Sequence, residues 1–196
     1  MKKLNTVSHS QNYWKRVNNL PIKIIDTNIP EIKIIQGTRF HDERGFFTET
    51  YKESEYLEAG LPKFVQDNLS ESSKGVIRGL HWQEAPYGQG KLVSCFSGKI
   101  LDVAVDIRKT SSTFGQYVAV ELDSEEANSL WVPEGFAHGF QSLTDDTRVH
   151  YKVTNYWNKE SERSLNFQDS EIDIKWEELK PVVSEKDLLA PFLREI

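Results

Sequence analysis

The sequence predicts an all-β domain, a sandwich or barrel of short strands with a few short helices at its periphery. Three observations predict it. From Ile22 onward, short runs rich in Val, Ile, Tyr, Phe and Thr are separated by Gly, Pro, Asn, Asp and Ser. Stretches such as KILDVAVDIR (99–108) alternate their side chains with a period of two. Helical character is confined to two brief segments, 54–59 and a last one from Ser184.

The strands are expected at 32–39, 45–50, 64–70, 77–83, 91–97, 99–107, 116–122, 129–132, 139–142 and 147–155. Ser97-Gly98 reads as a turn between two of them, because glycine tolerates the positive φ that tight hairpins need. In KILDVAVDIR, Leu101, Val103, Val105 and Ile107 share one face, while Ile100, Asp102, Ala104 and Asp106 make the other face mixed. The first twenty residues, MKKLNTVSHSQNYWKRVNNL, are polar and show no strand alternation. They read as an extension that drapes over a neighbouring surface through Tyr13 and Trp14, ahead of a single domain over 21–196.

A chain of 196 residues with 38% hydrophobic content can bury a sizeable core. Its net charge of −6 argues against general affinity for nucleic acid or an anionic membrane, yet allows a local cationic pocket. With Cys95 as the single cysteine, no internal disulfide or thiolate metal cluster can form. No apolar run reaches the roughly 20 residues of a membrane span, and the N-terminus lacks a signal-peptide pattern. A cytoplasmic protein is expected.

GVIRGLHWQ (75–83) poses a physical problem. On an ideal strand Arg78 and His81 point to opposite faces, and burying either without a partner costs free energy. Either the strand lies at an edge or these residues line a polar cavity. Alone, His81 reads as a satisfied core histidine before a functional one.

PEGFAHGF (133–140) contains P-x-G-x-x-H, with His138 emerging as the next strand begins. This resembles the second motif of cupins, small jelly rolls with a cavity in the barrel. Metal-binding cupins pair it with H-x-H and a glutamate, whereas this chain has His81-Trp82-Gln83-Glu84. His9 lies in the extension, His41 beside a turn, and His150 on the face of its strand opposite Tyr151. His81, His138 and Glu84 remain, a thin ligand set for a metal that needs three or more bonds.

HDERGFFTE, VQDNLS, GVIRGLHWQ, GQGKLV, GKILDVAVDIR, FGQY, WVPEGFAHGF, YKVTNYW, SER and SEKD follow one another in this order. The series resembles the dTDP-4-dehydrorhamnose 3,5-epimerase family of metal-free cupins, from about Ile22 to the C-terminus. The resemblance implies inversion of C3 and C5 in a dTDP-4-keto-6-deoxyhexose, without cofactor or metal. Such chemistry needs a base, an acid across the sugar, and a group that stabilises the enolate oxygen. By resemblance His81 is the base, an imidazole whose ordinary pKa near 6.5 gives a useful neutral fraction at pH 7. Tyr151 is the acid, Lys91 stabilises the enolate, and Asp187 orients the histidine, with Asp102 a rival for that last task.

The same resemblance gives Arg78 to the diphosphate, where a planar fork suits phosphate oxygens. It gives Arg44, Glu49, Gln66, Asp67, Asn68, His138, Glu162 and Lys186 to the nucleotide, with Tyr156 or Trp157 stacked on the thymine. Because Arg78 and His81 are both used, a bulge or sharp bend near Gly79 is expected. A homodimer is expected, HDERGFFTE reaching into the neighbour's site.

Plainer readings stand beside these. Tyr151 suits a strand aromatic, and Trp157 suits buried packing. Arg44 suits a turn cap or a pair with Asp42 or Glu43. Ser184-Glu185-Lys186-Asp187 reads as S-x-x-D, a helix cap. The chain departs from the family pattern at Asp169-Ser170, Trp176-Glu177 and Trp82, positions that affect loop shape rather than proton transfer. The competing functions are a single-centre epimerase, a metal cupin dioxygenase and a non-catalytic sugar-nucleotide-binding cupin. Retention of His81, Lys91 and Tyr151 together favours catalysis, since binding alone requires no acid and base.

Overall fold

The computed structural model describes residues 22–196; the extension and its Tyr13 and Trp14 lie outside these residues. Two six-stranded sheets face one another as a jelly roll. The first has the order β1 (Lys23–Asp26), β2 (Lys33–Gln36), β10 (Asn128–Val132), β7 (Lys91–Ser97), β12 (Thr147–Val153), β5 (Gln66–Ser72). The second runs β13 (Glu162–Ser164), β6 (Val76–Gln83), β11 (Phe136–Ser142), β8 (Lys99–Asp106), β9 (Tyr117–Asp123), with β14 (Val182–Val183) added parallel to β6. A separate hairpin joins β3 (Arg39–Asp42) to β4 (Gly45–Thr48), and the short helices are α1 (Glu53–Glu58) and α2 (Glu185–Leu188).

The alternation read in KILDVAVDIR sets the layering. Ile100 and Ala104 of β8 join Val93, Leu130, Val132, Phe140 and Val149 in the core between the sheets. Val103 and Val105 turn outward and pack with Leu80, Leu165, Ile172 and Ile174, so the segment after β13 covers the back of the second sheet. On the back of the first sheet, Leu92 and Trp131 pack with Tyr56 of α1. Burial of this kind stabilises by about 25 cal/mol per Å² of apolar surface.

Several expected elements change shape. The strand expected over 32–39 is broken at Gly37, whose N–H donates to the Ala127 carbonyl at 2.9 Å, and resumes as β3. β11 begins three residues earlier than expected, so His138 sits inside the strand. β1, β13 and β14 were not foreseen, because two to four residues carry too little periodicity to read. Ser97-Gly98 is a turn but not a hairpin: β7 pairs with β10 and β12, while β8 pairs with β11 and β9. Here the chain crosses between sheets, with Gly98 at φ +76° against the Thr144 and Thr147 hydroxyls, where no side chain fits.

Candidate active site

The two sheets part at one edge around a cavity of about 640 Å³. β5 and β12 line one side, β6 and β11 the other, and β14 with α2 closes the end. The conflict between Arg78 and His81 is resolved at Gly79. Against β11, His81 pairs with His138 but Arg78 with Phe140, so three steps on β6 oppose two on β11. This is the expected bulge, and it turns both side chains into one cavity. Gly79 has φ +127°, and a Cβ there would meet Gly139 Cα at 2.5 Å.

His81 Nε2 donates to Asp187 Oδ1 at 2.6 Å. The helix that carries Asp187 is capped by Ser184, whose hydroxyl accepts the Asp187 N–H at 3.2 Å. Ser184 supplies the cap while the Asp187 carboxylate contacts the His81 ring, so a cap on α2 and a bond to the histidine coexist. Burial pushes the Asp187 carboxyl up, but the His81 ring, the Gly79 N–H and Ser184 outweigh it, and the net shift is downward. Asp102 partners the other histidine instead: His138 Nε2 lies 2.8 Å from Asp102 Oδ1, and Asp102 is 0% exposed. Burial pushes His138 down and Asp102 up, each opposed by the other's charge.

Lys91 extends into the same cavity and donates from Nζ to the His81 carbonyl at 3.1 Å. Desolvation lowers its pKa to about 8, with the carboxylates of Asp102 and Glu162 working the other way. The Tyr151 hydroxyl is 3.0 Å from Ser70 Oγ, and its ring meets the His138 ring edge-on at 6.2 Å. Burial raises the phenol well above its usual range, so it holds its proton. His150 points away from the cavity, stacked on Phe96 with centroids 4.7 Å apart.

Of the residues assigned to the nucleotide, Arg78, Asn68, His138, Glu162 and Lys186 line the cavity, and Lys186 Nζ reaches Glu162 Oε2 at 2.9 Å. Gln66, Tyr156 and Trp157 are not among the lining residues, but Gln66 donates to the lining residue Asn68 at Oδ1, 2.8 Å, and accepts the Trp157 N–H at 3.3 Å. Tyr156 and Trp157 are 65% and 56% exposed, so Trp157 is not buried packing. Asp67 is not among the lining residues: it pairs with Lys152 at 2.8 Å, since neighbours on a strand face opposite ways. Arg44 and Glu49 also lie outside this cavity. Arg44 Nε donates to Asp42 Oδ2 at 3.1 Å within the β3–β4 hairpin, and Glu49 lines a second hollow of about 250 Å³ with Arg39, Phe46 and Cys95.

The reading from sequence missed Ser72 and Gln89, as well as Ser70 as a partner for Tyr151. The parity of β5 points to both serines, because 68, 70 and 72 share a face. Among the described residues no three His, Cys, Asp or Glu side chains converge as a metal site, and each cavity histidine is held by an aspartate.

A jelly roll that gathers a carboxylate-held imidazole, a buried phenol and a desolvated lysine around one cavity is that of an isomerase of the cupin class, an epimerase working beside a carbonyl. The comparisons agree. The family model for dTDP-4-dehydrorhamnose 3,5-epimerase matches residues 26–195. The dTDP-4-dehydrorhamnose 3,5-epimerases of Salmonella typhimurium and Shigella flexneri are 49% and 48% identical, over 87% and 85% of this chain and 94% and 93% of theirs. A crystal structure of dTDP-6-deoxy-D-glucose-3,5-epimerase from Legionella pneumophila, in complex with dTDP-4-keto-L-rhamnose, superposes with a TM-score of 0.86 at 47% identity, covering 89% of this chain and 94% of that one. The chain belongs to the dTDP-4-dehydrorhamnose 3,5-epimerase family.

Proposed function

We propose that this nucleotide-sugar epimerase inverts C3 and C5 of a dTDP-4-keto-6-deoxyhexose, giving dTDP-4-dehydro-L-rhamnose, with His81 as base, Lys91 at the enolate oxygen and Tyr151 as acid. The observation that carries the assignment is the 2.6 Å bond from His81 Nε2 to Asp187. It fixes the proton on Nε2 and leaves the Nδ1 lone pair as the base. That lone pair takes the proton beside the C4 ketone, and the bonding electrons move onto the carbonyl oxygen. The Lys91 ammonium stabilises the enolate, being mostly protonated at pH 7 with a pKa of about 8. The Tyr151 phenol, kept protonated by burial, returns a proton to the opposite face. Asp187 holds the imidazolium while it carries the abstracted proton.

Arg78 faces the diphosphate at the cavity mouth, and Trp157 offers an exposed ring to the base. Arg44 and Glu49 serve the neighbour's site in a homodimer. What supports this is that neither lines its own chain's cavity: Arg44 sits at the turn of the β3–β4 hairpin, whose Phe46 and Phe47 are 50% and 43% exposed, and Glu49 directly follows β4. A cytoplasmic location suits the lone free thiol of Cys95.

The test is proton NMR with dTDP-4-keto-6-deoxyglucose in deuterated buffer. Deuterium at both C3 and C5 is expected, and deuterium at one carbon alone would make the chain a single-centre epimerase. His81→Asn is expected to abolish exchange while dTDP still binds; exchange at the wild-type rate would remove His81 as base.

A further inference from the structure

β5 presents Asn68, Ser70 and Ser72 to the cavity side, and each serine holds a different working group. Ser72 is buried, and its Oγ accepts from Arg78 Nε at 3.0 Å. The Glu71 carbonyl accepts from Arg78 Nη2 at 3.0 Å. Two of the three guanidinium nitrogens are therefore anchored on β5, leaving Nη1 without a protein partner among the described residues. An exposed arginine otherwise loses considerable rotamer freedom on binding an anion, and this anchor removes part of that cost beforehand. One pleat along, Ser70 Oγ lies 3.0 Å from the Tyr151 hydroxyl. A phenol that gives up its proton beneath a sugar becomes a buried phenolate, and the Ser70 hydroxyl can rotate to donate to it.

We infer that Ser70 and Ser72 are positioning residues with separable effects: Ser72 aims Arg78 at the diphosphate, and Ser70 supports Tyr151 through its change of charge. The inference rests on the epimerase reading above. It deepens that reading by dividing binding from proton return between two side chains of one strand.

The experiment measures kcat, KM, dTDP affinity and deuterium incorporation for wild type, Ser70→Ala, Ser70→Thr and Ser72→Ala. Failure of wild type to exchange would overturn the epimerase reading itself, whatever the serines do. For Ser72→Ala, KM and the dTDP Kd are expected to rise about tenfold, with kcat within about twofold. For Ser70→Ala, kcat is expected to fall about tenfold at unchanged dTDP affinity, with more deuterium in recovered substrate per product formed, and Ser70→Thr restores the rate. Unchanged dTDP affinity in Ser72→Ala, or equal losses of kcat and affinity in both variants, overturns the inference. If Ser72→Ala does not fold, Ser72→Cys, close in size but a poorer acceptor, takes its place with the same expected rise in Kd.

Discussion

Asp187 has two jobs competing for it, and a neighbouring hydroxyl frees it for one. Because Ser184 caps α2, the carboxylate can hold His81 Nε2. Asp187→Asn keeps the shape but lets the amide oxygen or its NH₂ face the ring, so the tautomer is no longer fixed. The kcat of this variant is expected to fall about 100-fold, measured as deuterium exchange, while dTDP binds as before. Under the proposed mechanism Lys91 sets the alkaline limb. Its role there is that of a cation, and with its pKa lowered to about 8 it loses that charge as pH rises past 8. On this alkaline limb the rate of enolate formation is therefore expected to decline as pH rises through that value. A lysine of ordinary pKa would move the decline up by about two pH units, and a pH–rate profile distinguishes the two.

At the scale of elements, the bulge in β6 makes the site possible. Gly79→Ala puts a Cβ 2.5 Å from Gly139 Cα and 2.8 Å from the His138 carbonyl, at a φ that glycine alone adopts freely. Unfolding in urea is expected to show a loss of about 1–3 kcal/mol, with exchange activity lost as Arg78 and His81 part. This bulge was legible in the sequence because two polar residues on opposite strand faces were both required in one place. The strand alternation that layers β8 was legible for a different reason: eight residues carry a clear period. β13 and β14 were not, being too short to show one. Asp67 is assigned with Gln66 and Asn68 by resemblance, although strand parity turns its side chain to the other face, where it meets Lys152. The choice between Asp102 and Asp187 lay beyond sequence, because pairing with His81 depends on how α2 packs across β6.

The whole molecule adds a second copy to the problem. The β3–β4 hairpin carries Arg44 away from its own cavity, so under the dimer proposal each site combines His81 of one chain with Arg44 of the other. Mixing inactive Arg44→Ala and His81→Asn chains should then create dimers with one intact site and one doubly altered site. Random reassortment is expected to restore about a quarter of wild-type activity. Mixtures that stay inactive after reassortment would show that Arg44 serves its own chain, and sedimentation establishes whether a dimer exists to reassort.

His81 and Asp187 are 106 residues apart in sequence yet share one bond. Translation therefore makes the proposed base long before it makes the carboxylate bonded to it. Until residues 182–188 have been made, β6 lacks both β14 beside it and the capped turn of α2. A prematurely terminated product retains Arg78, Lys91 and Tyr151 but leaves its imidazole without a fixed tautomer. Such fragments would turn a sugar nucleotide over hardly at all, so the order of synthesis would keep proton abstraction in abeyance until Asp187 has been made.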